Sequence, residues 1–166
     1  MARQLWLLRH ADAEPHGTRP DAERRLTARG ERQAKVLGAA ISRLGVQFEA
    51  ALVSPKVRAR RTAELAAESF SEQQRSLLRV HPPLSAGFEA VQALDVMAGL
   101  SADGRALVVG HEPDLSGVAS ALTGARLDLK KGGLAVLRLE GGSAELVLLM
   151  RPRELALISG EPGLDV

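Results

Sequence analysis

Ala106-Leu107-Val108-Val109-Gly110-His111-Glu112-Pro113 is the stretch on which the reading of this chain turns. Four consecutive apolar residues, stopped by glycine and a polar turn, predict a strand buried on both faces. Leu115, Val118, Ala119 and Leu122 then fall at helical spacing, and Pro113 opens that helix. A buried strand, a polar turn and an amphipathic helix are the repeating parts of a parallel α/β sheet.

The same pattern recurs on either side. Leu5-Trp6-Leu7-Leu8 is a second buried strand. From Thr27 the period becomes helical, through Leu37, Ala40, Ile41 and Leu44, with Gly45 as the stop. Ala50-Ala51-Leu52-Val53 is a third strand, closed by Ser54-Pro55. The next helix is expected with Ser54 as its N-cap and Pro55 in its first turn, and with Ala59, Thr62, Ala63, Ala66 and Phe70 facing inward. Ser71 to Arg75 reads as a polar loop. Leu77-Leu78-Arg79-Val80 reads as a short strand ending at Pro82-Pro83, and Val91, Leu94 and Ala98 mark a further helix. Leu134 to Leu139, Gly141-Gly142 and Glu145 to Met150 form a β-hairpin. With no repeat, linker or low-complexity segment, residues 1–166 are expected to be one domain. The expected fold is a three-layer α/β/α arrangement with a mostly parallel central sheet and an antiparallel hairpin at its edge.

Composition narrows the function. The 166 residues are 45% hydrophobic and 25% charged, which fits a globular domain. Lys+Arg 22 against Asp+Glu 20 leaves +2, so the sequence offers little to attract nucleic acid despite a pI near 9.5. Aromatic residues at 2%, with no Tyr, leave no platform for stacking bases. The absence of Cys excludes disulfides, thiolate metal sites and cysteine nucleophiles. The apolar run near the N-terminus is too short for a secretory signal or a membrane span, so a cytoplasmic enzyme or binding domain is expected, without membrane or nucleic-acid partners.

Three strands end in reactive residues. The first delivers Arg9 and His10, the second delivers Ser54-Pro55 and then Arg58, and the third delivers Gly110-His111. In open α/β sheets ligands bind beyond the carboxyl ends of the strands, where parallel neighbours would bring these groups together. A neutral imidazole is a nucleophile near pH 7 without an activating base. A phosphoryl group in transfer spreads charge over three oxygens, which fixed donors such as Arg9, Arg58 and His111 would hold. The residues therefore suit phosphoryl transfer through a histidine. The two histidines lack the spacing of a metal site and stand beside arginines that repel a cation, so neither metal nor cofactor is expected.

Leu7-Leu8-Arg9-His10-Ala11, Ser54-Pro55-Lys56-Val57-Arg58-Ala59 with Thr62-Ala63, and Val108-Val109-Gly110-His111 together resemble the histidine phosphatase superfamily of phosphoglycerate-mutase-like phosphatases. Arg24-Arg25-Leu26-Thr27 with Gly30 resembles its R-P-L-T-x-x-G segment, and Lys130-Lys131-Gly132-Gly133 precedes a strand as in the smaller members. The short length and Glu112-Pro113-Asp114-Leu115 look most like the SixA-type phosphohistidine phosphatases. The resemblance implies that His10 is the phosphorylated nucleophile and that Arg9, Arg58 and His111 complete a phosphate pocket. The resemblance implies a phosphate or substrate contact for Arg24; Ser54 is a further candidate substrate contact, although its expected N-cap role accounts for it fully. Two departures stand out. Ala11 replaces glycine, which a negative φ would tolerate, and no motif marks the acid, for which Asp12 and Glu89 are candidates.

Each candidate also has a plain structural reading. Asp12 suits a turn acceptor and Glu89 a helix start, Arg60 and Arg61 a solvated helix face, and His16 and His81 ordinary surface loops. The leading expectation is a metal-independent phosphatase acting on phosphohistidine in a protein. Its alternatives are a small-molecule phosphomonoesterase of the same fold and a catalytically silent phosphate-binding module.

Overall fold

The computed structural model describes residues 1–161 and 166 of the chain. Six strands form one sheet in the order β3-β2-β4-β1-β5-β6. They are β1 (Arg3–Arg9), β2 (Ala50–Val53), β3 (Leu78–Val80), β4 (Arg105–Gly110), β5 (Leu134–Glu140) and β6 (Ser143–Met150). The first four run parallel, while β5 lies antiparallel to β1 and to β6. This is the expected sheet with its antiparallel edge pair, turned at Gly141-Gly142, where both glycines have positive φ.

Alternation along β1 divides the core. Leu5 and Leu7 join Phe88, Met97, Val108, Leu115 and Val118 on one face. Trp6 and Leu8 join Leu37, Ile41, Phe48, Leu107, Val109 and Leu155 on the other. Helices α1 (Ala28–Arg43), α2 (Val57–Ala67) and α6 (Pro152–Ser159) cover the second face, and α4 (Ala90–Ala98) and α5 (Asp114–Thr123) the first. Thr27 caps α1, its hydroxyl accepting from Gly30 N at 3.0 Å. Gly30 is required there, because a Cβ would lie 1.9 Å from the Asp12 carbonyl oxygen.

Four local expectations are corrected. Ser71 to Arg75 is not a plain loop: Ser71 caps a single helical turn, α3 (Glu72–Arg75), by accepting from Gln74 N at 3.3 Å. Helix α4 buries Ala93 and Met97 and leaves Val91 and Leu94 at 61% and 45% exposure. That helix is apolar almost all round, so its pattern selected no face. Ser54 does not cap α2, which begins at Val57 with Lys56 at the cap position and no capping side chain. Helix α6 follows β6 where the sequence reading placed no element. Pro152 at its start and Gly160 just past its end are ordinary boundary residues.

Among the described residues no helix is long and apolar enough to cross a membrane. Nor does any group of three His, Asp or Glu side chains suit a metal ion.

Candidate active site

Parallel pairing sets three strand ends level. Arg9 lies opposite Gly110 and Val53 opposite Val109. The backbone continues that alignment beyond the sheet, with His10 N donating to Gly110 O and Ser54 N to Val109 O, each at 3.0 Å. His10 and His111 therefore emerge side by side, their ring centroids 5.1 Å apart. Helix α2 brings Arg58 to them from its first turn. Thr62, one turn later, accepts from Ala11 N at 3.0 Å and donates to Arg58 O at 2.7 Å, which ties α2 to the chain just after His10. Ala11 is fully buried, and no described residue other than glycine has a positive φ, so alanine fits where the resemblance predicts glycine.

The hydrogen bonds assign the His10 tautomer. A carbonyl oxygen only accepts, so the 2.8 Å contact with Ala11 O places a proton on Nδ1. Nε2 is then an unprotonated lone pair, and Arg58 Nε donates to it at 3.2 Å. Burial, together with the positive charges of Arg58 and Arg9, lowers the His10 pKa from 6.5 to about 3, while the Ala11 bond works in the opposite direction. His111 is lowered to about 3 by burial and then by Arg58 and Lys56. Both rings are neutral at pH 7.

Arg58 is held on its far side by the Asp21 backbone oxygen at 2.6 Å and the Asp21 carboxylate at 3.3 Å. Arg24 and Lys56 donate to the same carboxylate at 3.1 and 2.8 Å. The Lys56 bond, with Arg24 and Arg58 behind it, outweighs burial and holds Asp21 well below the usual carboxylate range. The buried Arg24 is further fixed by Glu14 O at 2.6 Å. Arg9 donates from Nη1 to Leu129 O at 3.0 Å. Its Nε and His111 Nδ1 are buried with no protein partner among the described residues.

These groups line an open cleft of about 450 Å³ bounded by Glu14, Pro15 and His16 on one side and Ser85, Ala86 and Glu112 to Asp114 on the other. Arg9, His10, Arg24, Arg58 and His111 all reach it. Ser54 does not. It is fully buried behind His111 and shares a 2.7 Å hydrogen bond with His111 Nε2, so it supports the ring rather than contacting a ligand. Neither acid candidate reaches the cleft. Glu89 begins α4, its backbone N–H donating to Gln92 Oε1 at 2.7 Å. Partial burial opposes the charge on Asp12, but donation from Thr27 at 2.8 Å and Lys131 at 3.0 Å overrides it and holds the carboxyl below its ordinary range.

The sequence reading missed Asp21, Lys56, Lys131 and His16 as cleft residues. Lys56 and Lys131 stood inside stretches already singled out, whereas Asp21 is marked by no local pattern.

Residues 5–80 match the profile of the histidine phosphatase superfamily, branch 1. An uncharacterised protein of Picosynechococcus is 33% identical over 92% of this chain and 98% of its own length. The chain belongs to the histidine phosphatase superfamily. Its fold is also that of the protein histidine phosphatase SixA in its tungstate complex, at a TM-score of 0.77 and 24% identity over 92% of this chain and 99% of that one. A putative α-ribazole-5′-P phosphatase from Escherichia coli shares the fold at a TM-score of 0.73 and 20% identity, over 90% of this chain and 98% of that one. Membership supports phosphatase chemistry, and a fold common to both neighbours does not choose the substrate.

Proposed function

We propose that the protein removes phosphate from phosphohistidine in a protein substrate, through a covalent phosphate on His10. One observation carries this reading: a neutral His10 with its Nε2 lone pair at Arg58 stands in a cleft whose carboxylates are all engaged as acceptors. Asp21 accepts from Lys56, Arg24 and Arg58. Glu14 accepts from Arg19 and from Arg25 N, Glu112 from Ser116, and Asp114 from Gly87 N and Phe88 N. A site built this way has an electrophile-binding, nucleophilic half and no carboxyl group set aside to protonate an alkoxide.

The chemistry follows from the leaving group. Nε2 of His10 attacks phosphorus in line, and the bond between phosphorus and the substrate imidazole breaks. That imidazole keeps the bonding electron pair and, already protonated on its other nitrogen, departs neutral. Arg58 turns its N–H from Nε2 to a phosphoryl oxygen, with Arg9, Arg24 and His111 as the further donors. The Nδ1 proton stays with Ala11 O and stabilises the positive ring of the intermediate. Water then attacks phosphorus, Nε2 recovers its lone pair, and the water proton passes to the phosphate or to solvent. An alkoxide leaving from a sugar phosphate would need an acid, and every carboxylate among the described residues of this cleft is engaged as an acceptor.

Rapid mixing with a phosphohistidine protein, followed by quench, is expected to trap an acid-labile, base-stable phosphate on His10. His10→Ala should abolish both the adduct and turnover. Turnover should be higher on phosphohistidine than on sugar phosphates, with p-nitrophenyl phosphate as a substrate whose leaving group also needs no acid. Sugar phosphates hydrolysed faster than every phosphohistidine tested would overturn the substrate assignment and leave a small-molecule phosphomonoesterase.

A further inference from the structure

A second cleft, of about 470 Å³, opens beside the first and shares Arg9 and Lys131 with it. Arg29, Lys130, Arg151 and Arg153 complete its basic walls, brought together from the start of α1, the loop before β5 and the start of α6. A chain whose charge totals only +2 thus gathers six cations around one concavity. Four anionic groups of the described residues face them. Asp12 binds Lys131, Asp128 binds Lys130 at 2.5 Å, Glu154 is shared by Arg151 and Arg153 at 2.7 and 2.8 Å, and Val166, which lines the cleft, accepts from Arg29 at 3.0 Å through its terminal oxygen. The Lys130, Arg151 and Arg153 side chains are each at least half exposed, and exposed pairs of this kind yield readily to a competing anion.

Arg9 joins the two clefts. Its guanidinium is anchored at Nη1 by Leu129 O, and its buried Nε has no protein partner among the described residues. Lys131 stands at the same wall. Its loop is pinned to the end of β1 by Gly132 N, which donates to His10 O at 3.0 Å, at a positive φ suited to glycine. A ligand with one anionic group at His10 and another beyond Arg9 would meet cationic donors at both ends, with the anchored Arg9 between them.

We propose that the second cleft is a subsite for a further anionic group of the substrate, a phosphate or a carboxylate held by Lys130, Arg151 and Arg153 while the scissile phosphoryl group lies at His10. The assignment deepens the phosphatase reading above and rests on it. Two sources supply this chemistry: a neighbouring phosphate in an oligophosphate compound, and an acidic side chain flanking phosphohistidine in a protein.

The test compares inorganic orthophosphate with tripolyphosphate by calorimetry on the whole protein. Tripolyphosphate should bind at least about tenfold more tightly to the wild type, and that gap should largely close in the double variant Lys130→Gln, Arg153→Gln. Arg75→Gln, which removes an exposed charge from α3, should keep the gap. A gap that survives the double variant, or closes equally in Arg75→Gln, overturns the subsite. Phosphohistidine peptides with acidic and with neutral flanks then identify the source. A wild-type preference for the acidic flank that the double variant loses assigns the subsite to a protein substrate. Equal rates on both peptides, with the tripolyphosphate gap intact, assign it to an oligophosphate. If neither peptide is turned over while the gap behaves as expected, the phosphohistidine reading fails and the subsite stands.

Discussion

At His10 the protonation state, the tautomer and the orientation have separate causes. Burial keeps the ring neutral, Ala11 O fixes the proton on Nδ1, and Arg58 points at the lone pair that remains. Arg58 is in turn fixed by the Asp21 backbone and carboxylate, so one planar guanidinium couples His10 to the 3-10 turn that Asp21 opens. Lysine cannot reproduce that fork, because a single ammonium on a flexible stem cannot span both partners in one plane. Arg58→Ala is expected to lower kcat/KM by roughly 10²–10³, the cost of losing one preorganised donor to the transition state. Arg58→Lys should recover only part of this. Steady-state kinetics with p-nitrophenyl phosphate checks both, and a lysine variant with wild-type kcat/KM would remove the argument for a planar contact.

At the scale of elements, the site depends on how α2 is seated against the end of β1, and Thr62 makes that joint. Its hydroxyl bridges Ala11 N and Arg58 O, and the side chain is fully buried. Thr62→Val keeps the shape and leaves a buried N–H without an acceptor, at a cost of about 1–3 kcal/mol. Urea denaturation should register that loss and kcat should fall with it, while Thr62→Ser restores most of both. A valine variant as stable as the wild type would show that the bridge does not hold the joint. Much of this level was legible in the sequence. Buried parallel strands are continuous apolar runs, so β1, β2 and β4 announce themselves, and their ends deliver His10, Ser54 and His111. The partners of those groups were not legible. Ser54 looks like a helix cap until β2 and β4 pair and bring His111, distant in sequence, to its hydroxyl. Asp21 meets Lys56 and Arg58 only after α2 packs against the 3-10 turn Asp21–Glu23. The boundary residues of α6, Pro152 and Gly160, are ordinary sequence signals, whereas the face of α4 is set by docking alone.

The two neutral histidines also leave a mark on the stability of the whole molecule. In the unfolded chain each titrates near its ordinary 6.5, and in the folded protein each is lowered to about 3. Well above pH 6.5 neither state binds the proton and stability is indifferent to these groups. Between 6.5 and 3 the unfolded chain takes up protons that the folded one refuses, so stability falls as pH falls. Each ring contributes about 1.4 kcal/mol per pH unit in that interval, the two together at most about twice that. Asp12 and Asp21, whose folded values are also depressed, act with the same sign but only as pH falls through the carboxylate range, from about 4 downward. The interval from pH 6.5 to 5 therefore isolates the histidines. Urea midpoints at pH 7.5, 6.5, 5.75 and 5 should be nearly level between the first two and then drop steadily. In the His10→Asn, His111→Asn variant, which has no imidazole to protonate at the site, the decline over the lower interval should be much shallower. Parallel profiles for wild type and variant would mean that the folded imidazoles take up protons near 6.5, as the unfolded chain does. Burial would then not keep the rings neutral through the acid range, and His10 would lose its Nε2 lone pair to a proton as soon as the pH fell below 6.5.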